Sequence, residues 1–122
     1  MILVDTSVWV DHLRDGDTAL AELLDGGVVL THPFVIGELA LGSLRQRDVI
    51  LGALHDLPRA NVASDSEVLR FVDQEALHGR GIGYVDAHLL AAVRLTPDTS
   101  LWTRDKRLAA IAKALSLSNG TR

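Results

Sequence analysis

Three short apolar runs, Ile2-Leu3-Val4, Val28-Val29-Leu30 and Leu101-Trp102-Thr103, are separated by stretches with helical spacing. That alternation constrains the chain more than any other feature. Strands joined through helices pair in parallel and need cover on both faces. The helical stretches are legible from their caps and apolar stripes. Asp5-Thr6-Ser7 offers capping oxygens to a helix carrying Val8, Trp9 and Leu13, and Leu20, Leu23 and Leu24 mark a second, stopped by Gly26-Gly27. Pro33 opens a helix expected to run through Gly42, with Phe34, Leu39 and Leu41 as its apolar residues. Another is expected over 47–57, and Ser64 with Glu67 forms a capping-box pattern ahead of Val68, Leu69, Val72 and Leu77. Gly79, Gly81 and Gly83 lead into a helix from Tyr84, and Lys106 to Leu115 reads as the last. Asn61-Val62-Ala63 is expected as a short strand, and Leu117 either ends a last strand or belongs to a loose tail.

The expected fold class is therefore α/β: a mainly parallel central sheet with helices on both faces, in one domain over residues 1–122. No repeat, linker or low-complexity segment interrupts it. Hydrophobic content of 48% against 23% charged residues is that of a globular chain with one core. With no cysteine, disulfides, thiolate metal sites and cysteine nucleophiles are excluded, and the five histidines (12, 32, 55, 78, 88) are too scattered to suggest zinc. Asp5 interrupts the first apolar run, so neither a signal peptide nor a membrane span is expected, and the default location is the cytoplasm.

The net charge is −4, but it is unevenly spread. Arg104, Lys106, Arg107, Lys113 and Arg122 face only Asp105 in residues 104–122, whereas residues 1–103 hold seven bases and fifteen acids. A basic end beside an acidic body fits a protein that gathers cations and touches phosphates, and equally an ordinary solvated surface.

Most of the sixteen acids have plain structural explanations. Asp15, Asp17 and Asp25 flank glycines, Asp98 follows Pro97, and Asp11 lies one helical turn from Arg14. Four are placed differently. Asp5 and Asp105 each follow a strand and open a helix, at the carboxyl edge where open α/β sheets bind ligands. Asp86 begins the stripe Asp86, Leu89, Leu90, Val93, and Glu38 lies among Phe34, Val35, Leu41 and Gly42. All four are expected on or beside buried helix faces, where an unpaired carboxylate costs several kcal/mol. No Lys or Arg stands one turn from Glu38 or Asp86. A divalent cation offsets both the burial and the mutual repulsion, and oxygen-only ligands favour Mg²⁺, with Mn²⁺ as substitute. Each acid alone has a competing explanation, as a helix cap or as a side chain reaching out to water.

Four ordered blocks carry a resemblance: Ile2-Leu3-Val4-Asp5-Thr6-Ser7-Val8-Trp9, Ile36-Gly37-Glu38-Leu39, Gly83-Tyr84-Val85-Asp86-Ala87-His88-Leu89 and Leu101-Trp102-Thr103-Arg104-Asp105. Together they resemble the PIN domain, and more narrowly the VapC toxins of VapBC toxin–antitoxin pairs, over essentially the whole chain. The resemblance implies Mg²⁺-dependent endonucleolytic cleavage of RNA at an acidic pocket made by Asp5, Glu38, Asp86 and Asp105. It implies supporting hydroxyls at Thr6, Ser7 and Thr103. It also implies a VapB-type antitoxin that covers the pocket, a homodimer and a toxin–antitoxin hetero-oligomer. Gly37 departs from the alanine often found before the glutamate and is expected to loosen that helix slightly.

Arg104, Lys106 and Arg107 are candidates for RNA phosphate contacts, or else a solvated helix start. Trp9 and Trp102 sit at core spacing rather than as stacking platforms. Two other readings compete. A phosphatase acting on small esters would want an aspartate nucleophile near a lysine, and Lys106 and Lys113 are the only lysines. A non-catalytic binding module would use the cation only to stabilise its fold.

Overall fold

The structure is a computed structural model that describes residues 1–120. β1 (Ile2–Val4) leads into α1 (Thr6–Asp15) and α2 (Thr18–Asp25). β2 (Val29–Leu30) is followed by α3 (Pro33–Ala40), α4 (Arg47–Asp56) and α5 (Asp65–Gln74), and then come α6 (Tyr84–Leu95), β3 (Ser100–Trp102) and α7 (Lys106–Ala114). The sheet order is β2-β1-β3, with both pairings parallel. This is the α/β architecture that the alternating runs require.

The strands are short but largely enclosed. Leu3, Val4, Val29, Leu30, Leu101 and Trp102 are all buried. Neighbouring strand residues point to opposite faces, so burial of both members of each pair means that helices cover the sheet on both sides. Two single parallel bridges, Thr31 with Arg59 and Leu101 with Ser118, extend the ladder beyond β2 and β3. The second settles the fate of the tail. The Leu101 amide donates to the Leu117 carbonyl at 2.7 Å, and the Asn119 amide to the Leu101 carbonyl at 2.8 Å.

Several helices begin where side-chain oxygen or nitrogen acceptors meet their free amides. Asp17 Oδ1 accepts from the Leu20 amide at 2.9 Å, and His32 Nδ1 from the Phe34 amide at 3.0 Å ahead of Pro33. The Ser64–Glu67 box closes in both directions at the start of α5. α1 ends at Gly16, whose φ of 79° is the left-handed conformation that glycine adopts without strain.

Two expectations need correcting. The segment over 61–63 is not a strand: the Asn61 amide donates to Thr96 Oγ1 at 2.9 Å and its side-chain amide to the Leu95 carbonyl. Its hydrogen bonds go to the end of α6 rather than to a sheet neighbour, and Val62 is exposed. α3 stops at Ala40, not Gly42, because the Gly42 amide turns back onto the Leu39 carbonyl in a tighter closing turn. Only Leu39 of its three apolar markers is buried, while Phe34 and Leu41 face outward. No helix among the described residues is long and apolar enough to cross a membrane.

Candidate active site

Strand register decides where the first two acids meet. Val4 pairs with Trp102, so β1 and β3 end side by side, and the Asp5 amide donates to the Trp102 carbonyl at 2.9 Å. Asp5 and Thr103 therefore leave the sheet as neighbours, despite 98 residues between them in sequence. Asp5 is buried, and its Oδ2 accepts from the Ser7 hydroxyl and from the Thr103 hydroxyl, each at 2.7 Å. The Ser7 amide adds a longer contact at 3.4 Å. The two hydroxyls are themselves held: the Arg104 amide donates to Ser7 Oγ at 3.0 Å and the Asp105 amide to Thr103 Oγ1 at 3.1 Å. One relay of donors thus ties Asp5 to the backbone that carries Asp105.

Glu38 comes from α3, where Oε1 accepts from the Thr6 hydroxyl at 2.8 Å. Asp86, in the first turn of α6, turns Oδ2 back to accept from the Gly83 amide at 3.2 Å. Asp105 caps α7, with Oδ1 accepting from the Leu108 amide at 2.9 Å. A pattern emerges across all four. Each carboxylate gives one oxygen to the scaffold, and among the described residues the other oxygen has no protein donor. None of the four forms an ion pair among the described residues.

The electrostatics reflect their proximity. The Asp86 carboxyl is held above its ordinary range, first by burial and then by the negative charges of Asp5, Asp105 and Glu38, against one stabilising bond from Gly83. The expectation that all four would lie at buried faces needs correcting, however. Asp5 is buried and Asp86 half-buried, but Glu38 and Asp105 are exposed. What distinguishes those two is the company they keep, not their own desolvation. The donor set suits a hard divalent cation, being all oxygen and already oriented. Among the described residues no three His, Cys, Asp or Glu side chains stand closed around a single ion's position. A cation there would keep part of its water, as Mg²⁺ does.

The basic residues divide. Arg104 is not poised for phosphate: it binds Asp11 at 2.7 Å, pairs closely with Asp17 and lies over the Trp102 ring. Those partners are 93 and 87 residues away, so no spacing in the sequence signals the clamp. Lys106 and Arg107 are exposed beside Asp105, and Arg107 crosses Gly81 so closely that a Cβ there would stand 2.6 Å from Nη1. Arg122 lies outside the described residues. Trp9 and Trp102 are both core residues. Sequence reasoning also passed over a ring cluster at the mouth of α6. His88 is packed between Phe34 and Tyr84, with ring centroids 4.7 and 4.6 Å away, and Tyr84 donates its hydroxyl to Asp65 at 3.0 Å.

Comparison with known proteins gives the family. The PIN domain family model matches residues 2–114. Two proteins named Ribonuclease VapC32, from Mycobacterium tuberculosis strains CDC 1551 / Oshkosh and ATCC 25618 / H37Rv, are each 56% identical over 110 residues. The alignment covers 90% of this chain and 89% of each relative. With a parallel α/β sheet, and with acids gathered at the ends of its strands, the chain belongs to the PIN-domain family, in its VapC branch.

Proposed function

We propose that the chain is a Mg²⁺-dependent endoribonuclease, the toxin of a type II toxin–antitoxin pair, and that Asp5, Glu38, Asp86 and Asp105 are its catalytic and metal-holding residues. The observation that carries the reading is the set of four carboxylates, each fixed through one oxygen, with none ion-paired among the described residues. The 56% identity to proteins named as ribonucleases gives the reaction class. Mg²⁺, with Mn²⁺ as substitute, would supply Lewis-acid activation of water and neutralise charge on the phosphate.

The chain's own residues do the positioning. Ser7 and Thr103 fix the plane of the Asp5 carboxylate, and Thr6 holds Glu38 across from α1. Asp86 is the acid whose charge burial and the other three carboxylates disfavour. Lys106 and Arg107, exposed at the start of α7, receive RNA phosphates, while Arg104 secures the frame behind them.

A VapB-type antitoxin would neutralise the toxin by covering the pocket. An apolar cleft lined by Trp9, Leu13, Leu24, Ile50, Leu54 and Leu57, with Leu41 exposed just past α3 and Val49 exposed on α4, leaves surface for such a partner and for a homodimer.

Incubation of the purified chain with total RNA, in Mg²⁺ or EDTA, tests the reading. Cleavage is expected only with Mg²⁺, and Asp5→Asn is expected to lower it about 100-fold or more with the fold intact by circular dichroism. Cleavage that persists in EDTA, or in the variant, would overturn it. So would turnover of small phosphate esters without any cleavage of RNA, or stabilisation by Mg²⁺ with no hydrolysis at all.

A further inference from the structure

We infer that Gly81 is a positioning residue for RNA binding: it seats the Arg107 side chain across the loop that leads into α6, and so holds that guanidinium as a fixed phosphate contact. The inference rests on the ribonuclease reading and names what orders one of its phosphate contacts.

Arg107 is the second residue of α7, two positions beyond the cap Asp105, yet its side chain reaches the approach to a different helix. It lies along Gly81: a Cβ there would stand 2.6 Å from Nη1, 2.9 Å from Cδ and 3.2 Å from Cζ. Contact from stem to tip means that the side chain lies flat on the glycine rather than touching it with one end. Gly81 stands two residues before Gly83, whose amide holds Asp86 Oδ2 at 3.2 Å. The arginine therefore bridges the two segments from which Asp105 and Asp86 are presented. Arg107 is exposed and forms no ion pair among the described residues, which leaves its guanidinium donors to a ligand.

Any side chain at position 81 meets two obstacles. The φ of 82° is left-handed, and Arg107 fills the place of a Cβ. The second obstacle is relieved cheaply, because a flexible arginine can swing aside. That swing is what Gly81 prevents. An arginine gives up much rotamer freedom when a ligand fixes it, and one already laid against the backbone gives up less. Its planar fork then meets phosphate oxygens with two donors at once. Gly79 supplies an internal comparison. Its backbone is left-handed too, at a φ of 72°, but open space lies where its Cβ would go. Substitution at 79 therefore introduces the strain without displacing the arginine.

The test measures binding apart from cleavage. In an Asp5→Asn background, fluorescence anisotropy follows a short labelled single-stranded RNA over a range of salt. Arg107→Ala is expected to weaken binding about tenfold and to make the slope of log affinity against log salt shallower by about 0.7, the share of one phosphate. Gly81→Ala is expected to do the same, and the double variant Gly81→Ala/Arg107→Ala to bind no more weakly than Arg107→Ala. Gly79→Ala is expected to melt lower than the parent yet bind like it. A merely structural role for Gly81 would leave the salt slope unchanged and weaken binding whether or not Arg107 is present. The inference fails if the two losses add, or if Gly79→Ala binds as weakly as Gly81→Ala. It also fails if Arg107→Ala keeps the parent's affinity; that variant leaves the loop untouched and is read even if Gly81→Ala does not fold. RNA cleavage by the unsubstituted chain, assayed alongside, separates the two readings. Binding that depends on Gly81 and Arg107 without cleavage sinks the ribonuclease proposal alone, and cleavage with binding indifferent to both sinks the seat alone.

Discussion

Asp86 carries an opposing pair of demands: its charge is disfavoured by burial and by three neighbouring acids, yet its place is fixed by the Gly83 amide. A carboxyl whose folded value is raised favours the folded state fully below the ordinary aspartate value of 3.8. That contribution is lost as pH rises through the raised value. Without divalent cations, Asp86→Asn is therefore expected to be more stable than the parent at neutral pH, with the difference closing as pH falls below 3.8. Urea unfolding in EDTA at several pH values reads this directly. A variant less stable than the parent at pH 7 would contradict it. At Asp5 the same substitution leaves a side-chain oxygen able to accept from Ser7 and Thr103, which makes Asp5→Asn suitable for testing chemistry without disturbing the fold.

At the scale of elements, Arg104 joins the end of β3 to α1 through Asp11 and to the cap of α2 through Asp17. Its guanidinium holds the Asp17 carboxyl below the ordinary range, so this interaction stabilises above 3.8 and is lost as pH falls through the lowered value. Arg104→Ala is expected to cost about 1–2 kcal/mol at pH 7, kept modest because Asp11 is 41% exposed and screened by water. The loss should shrink in acid, which denaturant melts at two pH values will show. α3 offers the opposite case. Gly37 sits mid-helix with open space where a Cβ would go, so Gly37→Ala is expected to stabilise by about 0.5–1 kcal/mol in the same assay.

These examples also mark how far the sequence was legible. Strand cores and caps are local signals, so β1, α1, α2, the capping box of α5 and the start of α6 follow from spacing alone. The four acids stood out because strand ends and apolar stripes are local too. The Arg104 clamp, the exposure of Glu38 and the pairing of Phe34 with Tyr84 across His88 depend on which helices pack together. Nothing in the periodicity of one segment reports that.

Across the whole molecule, the acids draw on α1, α3, α6 and α7, so a cation at their meeting point would tie together elements from both ends of the chain. Binding to the folded state alone raises stability by mass action. Added Mg²⁺ is expected to raise the melting temperature and EDTA to reverse it, and the shift should shrink in Asp5→Asn. Equal shifts in the parent and the variant, by differential scanning fluorimetry, would place the ion elsewhere.

β1 is the first strand made and also the centre of the sheet, and its partner β3 lies some hundred residues later. Until that partner exists, Asp5 has no Thr103 to orient it and no Asp105 beside it. On the proposed function, fragments that stop before Trp102 lack Thr103 and Asp105 and are expected to be harmless. The order of the strands thus makes the proposed cutting centre one of the last parts of this fold to be completed.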